Sequence, residues 1–431
     1  MWLPKLAGIA LLGLGGSFVA TLDHPAINYY KDPGDNAITK LNRRLAAGEV
    51  KLTFDPQFGY LPGVLEALRV PRESQVLVFS KTSFQAPRIA PRTPRALYYN
   101  DEVSVGYVQG GDVVELAVQD PKQGVIFYSL DQDEIGRPRF ERRDACLQCH
   151  ESSATLGVPG IVVRSVSAER SGMPAFQHGT YISDHRSKFT ERWGGWYVTG
   201  DTGAMRHMGN SITRDRDSAE LVPVPNRFDA AQYLTPHSDV VALLVFEHQT
   251  HMTNLLTRAG FEIRHAIHHQ RAMNEIFHDP PAYRSESTLR RIRQAAEELV
   301  SYLLFVEETP LPNAVVGASG FAEWFAQQGP RDGRGRSLRQ FDLKTRIFRY
   351  PLSYMIYSPA FDQLPGPLHA AAVERLRAVL DGEVTDPAYA HLTPSVRADL
   401  RAILAATKPE LFAAGGGPAR SKGGGPEPRT R

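Results

Sequence analysis

Val103-Ser-Val-Gly-Tyr-Val108, Val113-Val-Glu-Leu-Ala-Val118 and Val125-Ile-Phe-Tyr-Ser129 are three β-rich runs, punctuated by Gly110-Gly111-Asp112 and by Asp120-Pro121. β-branched and aromatic residues suit a pleated, half-buried surface, and Gly, Asp and Pro between such runs supply the turns of hairpins. With Gln75-Val-Leu-Val-Phe-Ser80 upstream, the pattern predicts an antiparallel sheet unit. Further upstream, Ile38, Leu41 and Leu45 share one face of a helix expected over 37–47, and a short helix is expected near 63–68. Downstream, residues 146–210 are dense in Gly, His, Met and aromatics. They read as loop with short strands at 161–166 and 195–199. From 238 to 277 the apolar period becomes helical, with a break or bend expected near Gly260. A second long helix is expected over 286–306, and others at 321–328, 367–380 and 394–406. The chain is therefore expected to be α+β. An antiparallel β-rich N-terminal part (21–140) comes first, then a loop-rich segment (141–227), then an α-helical C-terminal part (228–414). Residues 415–431 are Gly, Pro and Arg with little to bury, and disorder is expected there.

At 431 residues the chain exceeds what one hydrophobic core usually serves. Its 49 basic and 47 acidic residues leave a net charge of only +2, so the basic excess of a nucleic-acid binder is missing. Lys5 precedes an apolar run from Leu6 to Ala20, the form of a secretory signal peptide or N-terminal anchor over 1–20. That run is short against the roughly 20 residues a spanning helix needs, and no later segment is longer and as apolar. The expected location is periplasmic or secreted.

Only two cysteines occur, and they stand in Cys146-Leu-Gln-Cys149-His150. A chain entering an oxidising compartment with no distant cysteine pair keeps these two for something local. On one helical turn, cysteines three apart lie on one side, where they can form thioether bonds to the two vinyl groups of a haem. The adjacent histidine then offers its imidazole nitrogen to the iron. A redox disulfide would normally follow a strand of a βαβ unit, and Arg139-Phe-Glu-Arg-Arg-Asp144 does not look like one. A structural zinc site would need further ligands.

The five residues resemble the haem motif of c-type cytochromes, and the whole chain resembles large single-haem cytochrome proteins of exported bacterial systems. The resemblance implies one covalently attached haem c, bound through Cys146 and Cys149, with His150 as proximal iron ligand. It makes 141–227 the haem-binding segment. A lone haem motif leads to an expected function of electron transfer with redox partner proteins in the periplasm. The alternative is a haem enzyme or sensor, an oxidoreductase with an open iron site acting on peroxide or another small oxidant.

Three residues are candidates for the sixth iron ligand. His207 and Met208 lie in Arg206-His-Met-Gly-Asn210, 57 and 58 residues beyond His150, and His207 is preferred. Met173 lies in Gly172-Met-Pro-Ala-Phe176, 23 residues beyond it, and resembles the Met-Pro segment of small cytochromes c. A second histidine group comprises His248, His251, His265, His268 and His269, with Glu247 beside it. Four of these, His248, His251, His265 and His269, fall within a helical sector of about 100°. This is a polar stripe, a haem-facing surface or a transition-metal site. On an unbroken helix, His251 and His265 stand about 21 Å apart and cannot share one ion. Trp193-Gly-Gly-Trp196-Tyr197 is expected to line a haem pocket or the core, and Ser353-Tyr-Met-Ile-Tyr357 to pack.

Overall fold

Six strands pair in chain order, each antiparallel to the next: β1 (Val76–Val78), β2 (Arg95–Tyr99), β3 (Val103–Tyr107), β4 (Val113–Asp120), β5 (Gly124–Asp131) and β6 (Glu141–Arg142). The computed structural model describes residues 21–412 apart from 135 and 226. The expected signal or anchor (1–20) and tail (415–431) therefore lie outside the described residues.

The register gives the sheet two unlike faces. Tyr98 stands opposite Val105, Val105 opposite Leu116, and Leu116 opposite Tyr128. These buried side chains join Leu77 in a hydrophobic cluster with α1 (Ala37–Ala46) and α2 (Leu61–Ala67). Asn36 starts α1, its side-chain oxygen accepting from the N–H groups of Ile38 and Thr39 while its own N–H donates to the Thr39 hydroxyl. This reciprocal cap satisfies donors that a helix start leaves bare.

The next elements are short: α3 (Leu147–His150), the β7–β8 hairpin (Val163–Val166, Thr180–Ser183) and the β9–β10 hairpin (Ser211–Thr213, Leu221–Pro223). Helices follow: α4 (Val240–Phe277), α5 (Glu286–Leu303), α6 (Phe321–Gln327), α7 (Pro359–Asp362), α8 (Gly366–Asp381) and α9 (Pro394–Thr407). They build a second cluster that also takes in Val76, Val78 and Tyr99 from the other sheet face. The Tyr99 hydroxyl donates to the Ala242 carbonyl (2.6 Å), tying that face to α4. No helix among the described residues is long and apolar enough to cross a membrane.

The α+β class and the order of its parts stand as expected. Three details differ. Strand β2 was not legible, and its pairing with β1 and β3 overrides a weak local pattern. Residues 195–199 are not a strand. Gly195 adopts φ +82, its carbonyl accepts from both Phe79 and Ser80, and only an isolated bridge joins Trp196 to Val78. Finally, α4 runs through Gly260 without the expected break. A helical glycine costs about 1 kcal/mol, and Ala259, Phe261 and Ile263 around it are buried apolar side chains whose packing outweighs that.

The start of α4 rests on Asp239. One carboxylate oxygen accepts from Val241 (2.8 Å) and Ala242 (3.0 Å), the other from Ala318 (2.6 Å) and Ser319 (2.8 Å). Asp239→Ala is expected to lower unfolding stability by about 2–4 kcal/mol, a lost cap plus unpaired N–H groups. Asp239→Asn, which keeps one acceptor oxygen, should lose less. Denaturant unfolding checks this, and equal stability of all three forms would contradict it.

Candidate functional site

Strand β6 closes one edge of the sheet, and the turn Asp144–Cys146 then leads directly into α3. Leu147 is buried and fixes this short helix against the first cluster. Cys146 is left half-buried and Cys149 exposed, both as free thiols. The His150 ring lies against Phe127 of β5, centroids 4.7 Å apart.

His150 Nδ1 is 2.9 Å from the Gly160 carbonyl oxygen. A carbonyl only accepts, so Nδ1 carries the proton and Nε2 keeps its lone pair. Nε2 makes no hydrogen bond with a described residue. Burial lowers the His150 pKa, opposed by the Gly160 bond, and so favours the neutral ring that a metal ligand requires.

The segment that orients His150 is itself clamped. The Gly160 N–H returns a bond to the His150 carbonyl (2.9 Å). Asn254 of α4 bonds both the Ile161 N–H (3.1 Å) and the Ile161 carbonyl (2.8 Å). A Cβ at Gly160 would collide with the Asn254 carboxamide, so this position needs glycine.

The second sheet face opens beside the motif. Every residue of β2 is buried except Arg95 and Leu97, and every residue of β4 except Glu115 and Ala117. Register places Leu97, Gly106 and Glu115 in one row, with Ser104, Ala117 and Phe127 in the next. Arg95 reaches across Gly106 to pair with Glu115. Ser83 (3.0 Å) and Gln85 (2.8 Å) also donate to that carboxylate. Burial raises the Cys146 thiol pKa, and the Glu115 charge adds to the shift.

The candidates for the sixth ligand stand elsewhere. His207 Nδ1 accepts from the Gly209 N–H (3.1 Å), which leaves the ring proton on Nε2, and the ring meets Trp193 edge-on at 5.1 Å. Met208 is buried, its sulfur 3.7 Å from the Ser165 hydroxyl. Met173 is 50% exposed. Among the described residues, no hydrogen bond or ring contact joins any of the three to Cys146, Cys149 or His150. Trp193, Trp196 and Tyr197 are core residues.

The histidine group on α4 separates into two. His265 stacks on His24 at 3.9 Å, and His268 meets the same ring edge-on at 4.9 Å. Nearer the helix start, His248 is fully buried, its Nδ1 2.8 Å from His185 Nδ1 and its Nε2 2.7 Å from the Ser353 hydroxyl. Glu247 and Arg192 form an ion pair at 2.9 Å with both side chains 0% exposed. Tyr302 stacks on His185, and Asp184 lies 3.5 Å from His251. The sequence singled out His248 and Glu247 but not His185, Arg192, Tyr302 or Ser353, which arrive from distant segments with no local pattern. Among the described residues, no group of three or more His, Cys, Asp or Glu is arranged to hold a metal ion.

Comparison of the chain with protein-family models, with curated proteins and with solved structures finds no match.

Burial pushes Glu247 up to about 7 against the pull of Arg192. It takes His248 down to about 3 and His251 down to about 4, and lowers His185 strongly. These imidazoles bind protons less readily folded than unfolded, so their contribution is complete above the unfolded value near ~6.5. It is lost as pH falls from there toward the folded values, by up to about 1.4 kcal/mol per pH unit for each ring. Glu247 gains stability as pH falls over the same interval, but three rings outweigh one carboxyl, so melting temperature should fall between pH 6.5 and about 4, and His248→Gln should flatten the decline. A melting temperature constant over that interval would contradict the buried cluster.

Proposed function

We propose that this protein is an exported mono-haem c-type cytochrome that transfers electrons to redox partner proteins in the periplasm. The observation that carries the reading is His150. Its Nδ1 is committed to the Gly160 carbonyl and its Nε2 is left with a lone pair. Orientation of one ring nitrogen by a carbonyl is what fixes a metal-ligating imidazole.

The residues present fit a haem. Cys146 and Cys149 are free, and both can reach thioether linkage because neither is locked in the core. Beside them, His150 presents the unbonded Nε2 that an iron ligand needs. When bound, haem c supplies one-electron exchange at its iron. The chain's own work is to hold the proximal nitrogen still through Gly160 and Asn254 and to keep water from it with Phe127. Thiols that form thioethers need not converge on a metal, so a chelating cluster is not required of this site.

Among the sixth-ligand candidates, the donor atoms favour Met173 over His207, the preference from sequence. His207 presents a protonated Nε2 in its present bonding, and the Met208 sulfur is engaged by Ser165. Met173 follows Gly172, whose carbonyl accepts from the Lys81 N–H, two residues before the serine that holds Glu115. The second reading is an enzyme or sensor with an open iron site.

Export from a host with haem-attachment machinery should give a protein whose denatured mass includes one haem, and Cys146→Ala with Cys149→Ala should abolish the gain. A parent protein carrying no covalent haem would overturn the reading. In the ferric spectrum, Met173→Ala is expected to convert low-spin haem to high-spin while His207→Ala leaves it low-spin. A parent already high-spin and shifted by cyanide would instead establish the open site.

A further inference from the structure

We propose that Arg95 and Glu115 form a charge pair that tunes the reduction potential of the iron, each charge moving it in the opposite direction. This rests on the haem reading above. The pair sits on the open part of the second sheet face. Glu115 and Ala117 point the same way along β4, and Ala117 stands directly opposite Phe127, whose ring touches His150. Glu115 is thus a diagonal neighbour of Phe127, roughly 7–8 Å away, and the Arg95 guanidinium is held against the Glu115 carboxylate. The two charges also act on that imidazole in opposite senses, with Arg164 reinforcing Arg95.

Stability does not account for the arrangement. A half-buried ion pair contributes little net free energy once desolvation is counted. Yet Ser83 and Gln85 both brace the carboxylate, and Gly106 leaves out the side chain that would block the guanidinium. Arg95 Nε and Gln85 Oε1 are buried without a partner, so the network is incomplete in the protein alone. Unmet buried polar atoms in a native network mark a site serving something beyond its own packing.

The electrostatics are simple. Oxidation of the iron adds one positive charge at the centre. A nearby carboxylate favours that state and lowers the potential; a nearby guanidinium disfavours it and raises the potential. Partial burial keeps solvent from screening either effect fully.

The test is spectroelectrochemical titration of the haem-loaded full chain, with haem content read independently by mass. Glu115→Gln should raise the midpoint potential, Arg95→Gln should lower it, and the double variant should return near the parent. Arg95→Lys, which keeps the charge, should hold near the parent value and guards against a folding defect in Arg95→Gln. Shifts of the same sign, or no shift, in haem-loaded variants would overturn the tuning role. Absence of covalent haem in the parent would instead overturn the cytochrome reading.

Discussion

A helical segment that is apolar on every side must be covered on every side, and the first two turns of α4 impose that requirement on the whole chain. Val240 through Phe246 are all buried in succession. The second sheet face covers one side through Tyr99, whose ring packs on Phe246, and α5 with the C-terminal helices covers the rest. Further along, Phe261 of the same helix joins the opposite cluster, with α1 and α2. One element therefore belongs to both cores, and the sheet and the helices cannot be arranged independently of it.

The placement of the candidate site follows from how far α4 reaches. It crosses the sheet toward the end where Gly124 abuts Thr257 and Lys122 accepts from Arg264. The opposite end, with Arg95, Leu97, Glu115 and Ala117, stays partly open, and the chain leaving edge strand β6 turns into α3 beside it. Asn254 then ties the segment that orients His150 to the same helix. The motif is local in sequence, but its rigidity comes from a residue more than a hundred positions later.

What the sequence disclosed follows the same division. Strands β3, β4 and β5 were legible because β-branched and aromatic runs met clear turn residues. Strand β2 was not, because its second face runs Arg95, Leu97, Tyr99, and the charge at its start breaks the apolar pattern. Sequence patterns break where a face serves a site. Cys146, Cys149 and His150 were legible because their geometry is fixed within one turn of helix. The partners of His248 were not, since His185 and Ser353 are 63 and 105 residues away. Nor does a periodic pattern forecast whether a glycine such as Gly260 breaks a helix, because packing from outside the helix decides it.

The buried polar cluster on α4 bears on the same rigidity. A fully buried Arg192–Glu247 pair costs desolvation that its attraction only partly offsets. Its worth lies in specificity: Arg192 also donates to the carbonyls of His185 and Ser187, locking the 185–192 loop against the helix. Arg192 thus fixes that loop by bonds to two of its carbonyls as well as to Glu247 on the helix. The pair and the histidines act on α4 one to two turns before Asn254, the residue that clamps the support of His150. In the proposed cytochrome, His150 would be held through this helix and would shift little on a change of charge at the iron.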